Sequence, residues 1–194
     1  MAEMTEQDLT KSTKYDENDI QIFKEKDMSV ITNPASNLKL ASGIAPVKRY
    51  LDEGINVAIG TDGPASNNCL DMFREMFLVT GLAKVREMDA SVVDASQVLL
   101  AATKGGAKAM GLQQCMDLSA GSYADLTVIN LHKPNMQPEN NLVKNLVYSG
   151  SKDNVLLTMV NGKILYENGE FFLGEDVDEI YEKCNEIVAR IKGL

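Results

Sequence analysis

At 194 residues and 44 % hydrophobic content, the chain can hold one large domain or two small ones around a real core. Lys and Arg number 19 against 28 Asp and Glu, and the resulting charge of -9 repels phosphate backbones and anionic membranes, which excludes nucleic acid as a natural partner. No apolar run has membrane-spanning length, "MAEMTEQDLTKSTKYDEND" lacks the apolar centre of a signal peptide, and Cys69, Cys115 and Cys184 read as reduced thiols of a cytoplasmic protein.

Residues 1–18 are polar and acidic, with no sustained apolar face and an expectation of little order. "DIQIFKEKDMSVITNP" predicts a short amphipathic helix with Ile20, Ile22 and Phe23 on its face, then a strand over residues 28–31 that Pro34 stops. "APVKRYLDEG" reads as a helix opened by Pro46 and ended by Gly54. "INVAIG" is apolar without alternation, as in a parallel strand covered on both faces. A helix over residues 67–87 follows, with Leu70, Phe73, Phe77, Leu78 and Leu82 at helical spacing.

Two further helices are expected, "DASQVLLAATKG" capped by Asp94 and "GAKAMG" closed by Gly111, with the glycines of "KGGAKAMG" breaking one from the other. "ADLTVINL" and "VKNLVYSG" then read as short β-rich runs. Asn161-Gly162 between two apolar stretches is a hairpin signal. Residues 112–172 are thus expected to form antiparallel strands with an exposed edge. Residues 176–192 place Val177, Ile180, Tyr181, Cys184, Ile187, Val188 and Ile191 on one helical face. The division predicted is a polar segment 1–18, a βα region 19–112, and a β-rich region 113–194 with a closing helix. Met72, Met76, Met110 and Met159 read as core filling, Cys69 as a packed thiol, and His132, the only histidine, as a solvent-facing loop residue.

In βα folds, sites form where loops converge at the carboxyl ends of parallel strands. Two loops have that address, "TNPASNLKLASG" and "GTDGPASNN", and both are rich in small polar residues. Asp62 comes off the second strand. It is either a ligand or catalytic carboxylate, or it caps the following helix, a role Ser66 would also suit.

The stretch "NPASNLKLASGIAPVKRYLDEGINVAIGTDGPASNNCLDMFREM" closely resembles the 5-methylthioadenosine/S-adenosylhomocysteine deaminases of the amidohydrolase superfamily, and "LLAATKGGAKAMG", "GSYADLTVINL" and "VYSGSKDNVLLTMVNGKILYENGEF" continue the match. The resemblance implies an α/β fold: the last strands and helices of a (β/α)8 barrel, part of a small β-sandwich, and a C-terminal helix. It implies a hydrolase that deaminates the adenine ring of an adenosine-derived small molecule. Asp62 would be the catalytic aspartate that binds a divalent metal, usually zinc, and the loop carrying Asn33, Ser36 and Asn37 would line the substrate pocket. The metal would lower the pKa of a bound water that attacks the ring.

The departures from the family pattern are equally specific. The family's His-x-His pair and later histidines are absent, Lys11 and Thr32 stand where histidines are expected, and Glu3 lacks the histidine of the family's H-x-x-E motif. A barrel takes about 250 residues, and two strands do not close one. The expectation is therefore a chain inactive alone, holding zinc weakly; the alternative is a non-catalytic module or remnant that associates, as a homo-oligomer, through exposed barrel strands.

Overall fold

The computed structural model describes residues 17–193, so Glu3 and Lys11 lie outside the described residues. Helix α1 (Glu17–Glu25) carries Glu17 and Asp19 in its first turn and Lys24 in its last, in the sense that complements the helix dipole. Ile20 and Phe23 are buried, whereas Ile22 is 41 % exposed and leaves the predicted face. Strand β1 (Ser29–Thr32) follows, then helix α2 (Pro34–Lys39), with Pro34 in a first turn that needs no N–H donor from it. Helix α3 (Val47–Asp52) ends before Gly54, whose φ of +73° turns the chain back into strand β2 (Asn56–Ile59).

β1 and β2 pair in parallel, in register from Ser29↔Asn56 to Thr32↔Ile59, as the unalternated apolar run predicted. The Gly60 N–H donates to the Thr32 carbonyl at 3.0 Å, so both strands end level and their loops start side by side. Val57, Ala58 and Ile59 are all buried. Val57 and Ile59 join Phe23, Val30, Tyr50, Met76, Val79 and Val98 in one core, each large side chain contributing about 1.5–3 kcal/mol.

Helix α4 (Met72–Glu87) begins five residues later than predicted and buries a different face. Leu70 lies outside it at φ +47° and Phe77 is half exposed; the buried positions are Glu75, Met76, Val79, Thr80 and Ala83. Apolar periodicity cannot find that face because two of its members are polar, made compatible with burial by hydrogen bonds. Thr80 Oγ1, for instance, donates to the Val93 carbonyl at 2.7 Å.

Asp94 caps helix α5 (Ala95–Leu100) in a capping box with Gln97, as its position predicted. The expected break after it does not occur. A π-helical turn (Ala101–Gly105) carries the backbone directly into helix α6 (Gly106–Ala109), and Gly111, at φ +71°, closes the run. Gly105 serves close approach: a Cβ there would stand 2.1 Å from the Val57 carbonyl oxygen of β2. "VKNLVYSG", expected to be β-rich, is helix α7 (Leu142–Ser149), capped by Asn141. Its Val143 and Val147 are four apart and both pack in the core, a helical spacing that outweighs the β-branched composition. Met110 is 67 % exposed, so only part of the expected methionine set fills the core.

The chain forms two compact units, one running to Ser122 and including Leu131–Asn154, the other comprising Tyr123–Asn130 and the chain from Val155 onward. The second unit is a four-stranded antiparallel sheet of β3 (Leu126–Ile129), β4 (Val155–Val160), β5 (Lys163–Glu167) and β6 (Glu170–Phe171), in sequential order. Asn161 and Gly162, at φ +49° and +76°, form the tight turn between β4 and β5 that their sequence signals. Helix α8 (Val177–Lys192) is capped by Asp176 and ends at Gly193. Its apolar face is present, yet no residue of the helix is buried, and Ile191 is 78 % exposed.

Candidate active site

Asp62 sits three residues beyond β2, in the left-handed region at φ +60°. Its carboxylate draws the two strand-end segments together, of which the first, expected as a loop, is helical over α2. Ser36 Oγ, buried on α2 after β1, donates to Oδ2 at 2.7 Å. Ser66 Oγ donates to the same oxygen at 2.7 Å, and the Gly63 N–H donates to Oδ1 at 2.7 Å. These donors, Ser36 first, hold the Asp62 carboxyl below the usual carboxylate range, so it is ionised at neutral pH. The capping alternative is excluded: Asp71 caps α4, its side chain accepting from the Phe73 N–H at 3.0 Å.

Beneath this pair of loops lies a second carboxylate that apolar periodicity passed over. Glu75 on α4 is fully buried. One of its oxygens accepts from the Ala35 N–H at 3.0 Å, the other from Asn67 Nδ2 at 2.7 Å. Burial pushes its carboxyl up, while those two donors oppose the shift. Asn67 is itself buried; its Nδ2 also donates to the Thr61 carbonyl at 2.8 Å, and its Oδ1 accepts from the Cys69 N–H at 3.2 Å. Lys39 adds an outer tie, Nζ donating to the Ala65 carbonyl and to Asn68 Oδ1. No local sequence signal marks Glu75 for burial, because the backbone donor that satisfies it, the Ala35 N–H, lies 40 residues away.

Of the predicted loop residues, Ser36 touches Asp62 directly. Asn33 packs across the neighbouring strand end, where a Cβ on Gly60 would stand 2.4 Å from Asn33 Oδ1. Asn37 is 4 % exposed and turns inward, lining a cleft with Thr32, Val47 and Val79. His132 lies in an exposed loop, as expected, and Cys69 is half-buried.

A catalytic zinc takes about three protein ligands. Among the described residues, no group of three or more His, Cys, Asp or Glu side chains is placed to hold a metal ion. The described residues therefore do not by themselves fit a catalytic zinc.

Comparison with known proteins identifies the family. The Amidohydrolase family matches residues 4–165. The chain is 44 % identical over 167 residues to a 5-methylthioadenosine/S-adenosylhomocysteine deaminase of Dictyoglomus thermophilum, covering 86 % of this chain and 39 % of that protein. It is 41 % identical over 166 residues to a 5'-deoxyadenosine deaminase of Methanosphaera stadtmanae, covering 86 % of this chain and again 39 % of the relative. Among solved structures it resembles an adenosine deaminase from Xanthomonas campestris with bound zinc, at a TM-score of 0.89 and 33 % identity, over 97 % of this chain and 44 % of that one. The chain thus spans well under half the length of the relatives it matches. A family match across most of the sequence and relatives above 40 % identity lead to one assignment: the chain belongs to the amidohydrolase family.

Proposed function

We propose that this chain carries the strand-end carboxylate and the pocket loop of a deaminase that hydrolyses the adenine C–N bond of an adenosine-derived small molecule. S-adenosylhomocysteine, 5-methylthioadenosine and 5'-deoxyadenosine are the substrate candidates named by its relatives. The observation that carries the reading is Asp62, ionised and gripped by donors from both strand-end loops. Such a carboxylate is suited to binding a cation and is a weak base by itself. In this reading β1 and β2 are consecutive strands of a (β/α)8 barrel within region 19–112, region 113–194 is part of a β-sandwich with its closing helix, and the protein is cytoplasmic. Asn33, Ser36 and Asn37 belong to the pocket segment around α2, with Ser36 setting Asp62.

The same reading holds that the 194-residue chain alone neither retains zinc nor turns over, because its only imidazole is His132. Elemental analysis after dialysis, with ammonia release assayed on the three adenosine derivatives, is expected to give neither metal nor product. About one zinc per chain, with turnover abolished by Asp62→Asn, would overturn that part of the proposal. A non-catalytic reading is favoured by one observation: among the described residues the parallel sheet has two strands, each with one edge unpaired by a strand. Self-association through those edges predicts a concentration-dependent mass in sedimentation.

A further inference from the structure

We propose that Glu75 is a positioning residue for Asp62: a buried brace that locks the two strand-end loops to helix α4 and to each other. The inference rests on the reading above only for Asp62 being the functional carboxylate; the brace itself stands on geometry. From Glu75, two routes lead to Asp62. One runs through the Ala35 N–H to the adjacent residue, Ser36, whose hydroxyl donates to Asp62 Oδ2. The other runs through Asn67 to the carbonyl of Thr61, the residue before Asp62. Ser36 and Asp62 therefore meet at a point fixed from below by a single side chain.

The chemistry of the brace is directional. Both groups facing Glu75 are donors, an N–H and an amide NH2, and an ionised carboxylate offers acceptors only. A fully buried carboxylate is costly unless its oxygens are matched by donors. Packing alone would be served better by Leu or Met at this position. Holding a backbone N–H and a side-chain amide at once, from opposite loops, needs two acceptor oxygens on one rigid fork. Glu75 has no hydrogen bond to Asp62, so its influence passes through position and not through contact.

The test uses the 194-residue chain and amide hydrogen exchange by NMR, which needs neither metal nor substrate. The reporters are the Ala35 N–H, held by Glu75, and the Gly63 N–H, held by Asp62. Glu75→Leu removes both acceptors and is expected to speed exchange at both reporters by about 10- to 100-fold, the scale of a lost hydrogen bond to a charged group. Glu75→Gln keeps one acceptor oxygen and is expected to fall between that variant and the native chain. Asn67→Ala cuts the second route only: Gly63 is expected to speed up while Ala35 stays protected. Thr80→Val, a buried polar change on the same helix, controls for general loss of stability and is expected to leave both reporters unchanged relative to the rest of the core.

If Glu75→Leu does not fold, Glu75→Gln and Asn67→Ala decide the matter. The proposal is overturned if, at equal loss of melting temperature, Gly63 exchanges no faster in either variant, and Ala35 no faster in Glu75→Gln, than in Thr80→Val. Absence of deaminase activity leaves these measurements untouched, so failure of the brace and failure of the functional reading are separable.

Discussion

Two adjacent glycines, Gly105 and Gly106, are expected to respond to alanine with opposite signs. Both have ordinary helical backbone angles, so neither needs glycine for its torsions. A Cβ at Gly105 would stand 2.1 Å from the Val57 carbonyl oxygen, more than an ångström inside the 3.4 Å of ordinary contact. The obstacle is strand backbone in the parallel sheet, which cannot rotate away as a side chain would. Relief requires the helix to lift off β2 and to stretch the 3.0 Å bond from Asn56 Nδ2 to the Gly105 carbonyl. The expected cost is about 3 kcal/mol, at the upper end for overpacking. In a chain of this size that lowers the melting temperature by roughly 6–12 °C. At Gly106 a Cβ meets nothing within 4 Å, so alanine there restricts only the unfolded chain and is expected to stabilise by about 0.5–1 kcal/mol. Thermal melts followed by circular dichroism compare the two directly. Melting temperatures that move in the same direction, or a Gly105→Ala variant as stable as the native chain, would refute the close packing of the π-turn on β2.

Acid stability is expected to carry the signature of Asp62. Its folded pKa is depressed, so its contribution is complete above the unfolded value of about 3.9 and is lost as pH falls through the lower folded value. Because the side chain is solvent-exposed the effect is modest, and in melts across pH Asp62→Asn should differ from the native chain near neutrality and converge with it in acid. An unchanged difference at low pH would count against an ionised, hydrogen-bonded carboxylate. Asp94→Ala removes an acceptor from the Ser96 and Gln97 N–H groups and is expected to cost about 1 kcal/mol in urea denaturation. No loss there would mean that α5 does not depend on its capping box.

What could be read from the chain followed how far each signal is local. The parallel strand at "NVAIG", the Asp94 cap and the Asn161-Gly162 turn depend on neighbours within a few residues, and the structure places them as expected. Long-range polar pairing was invisible. Glu75 meets Ala35 across 40 residues of sequence, and nothing near it marks a charged residue for burial. The same blindness shifted the buried face of α4 and delayed its start, since Asn67 spends its side chain on Thr61 and Glu75 instead of beginning a helix. "VKNLVYSG" failed differently: its β-branched composition pointed to a strand, while its spacing fits one face of a helix against the core. Asp62 was singled out by its address at a strand end, but its grip by Ser36 required a loop 26 residues away.

The left-handed backbone at Asp62 restricts what evolution or an experimenter can put there. At φ +60° most side chains crowd the following carbonyl at roughly 1–2 kcal/mol, whereas Asp, Asn and Gly enter that region readily. The turn thus accepts aspartate for its short side chain as well as for its charge. Glutamate would meet both a strained backbone and a carboxylate carried one carbon past the Gly63 N–H and the Ser36 hydroxyl. Substituting alanine at this position mixes loss of charge with a strained turn, and a drop in any measured property would be ambiguous. Asparagine keeps the turn and removes the charge, while glycine keeps the turn and removes the side chain. Compared with each other, those two variants separate what the carboxylate does from what the bend beneath it does.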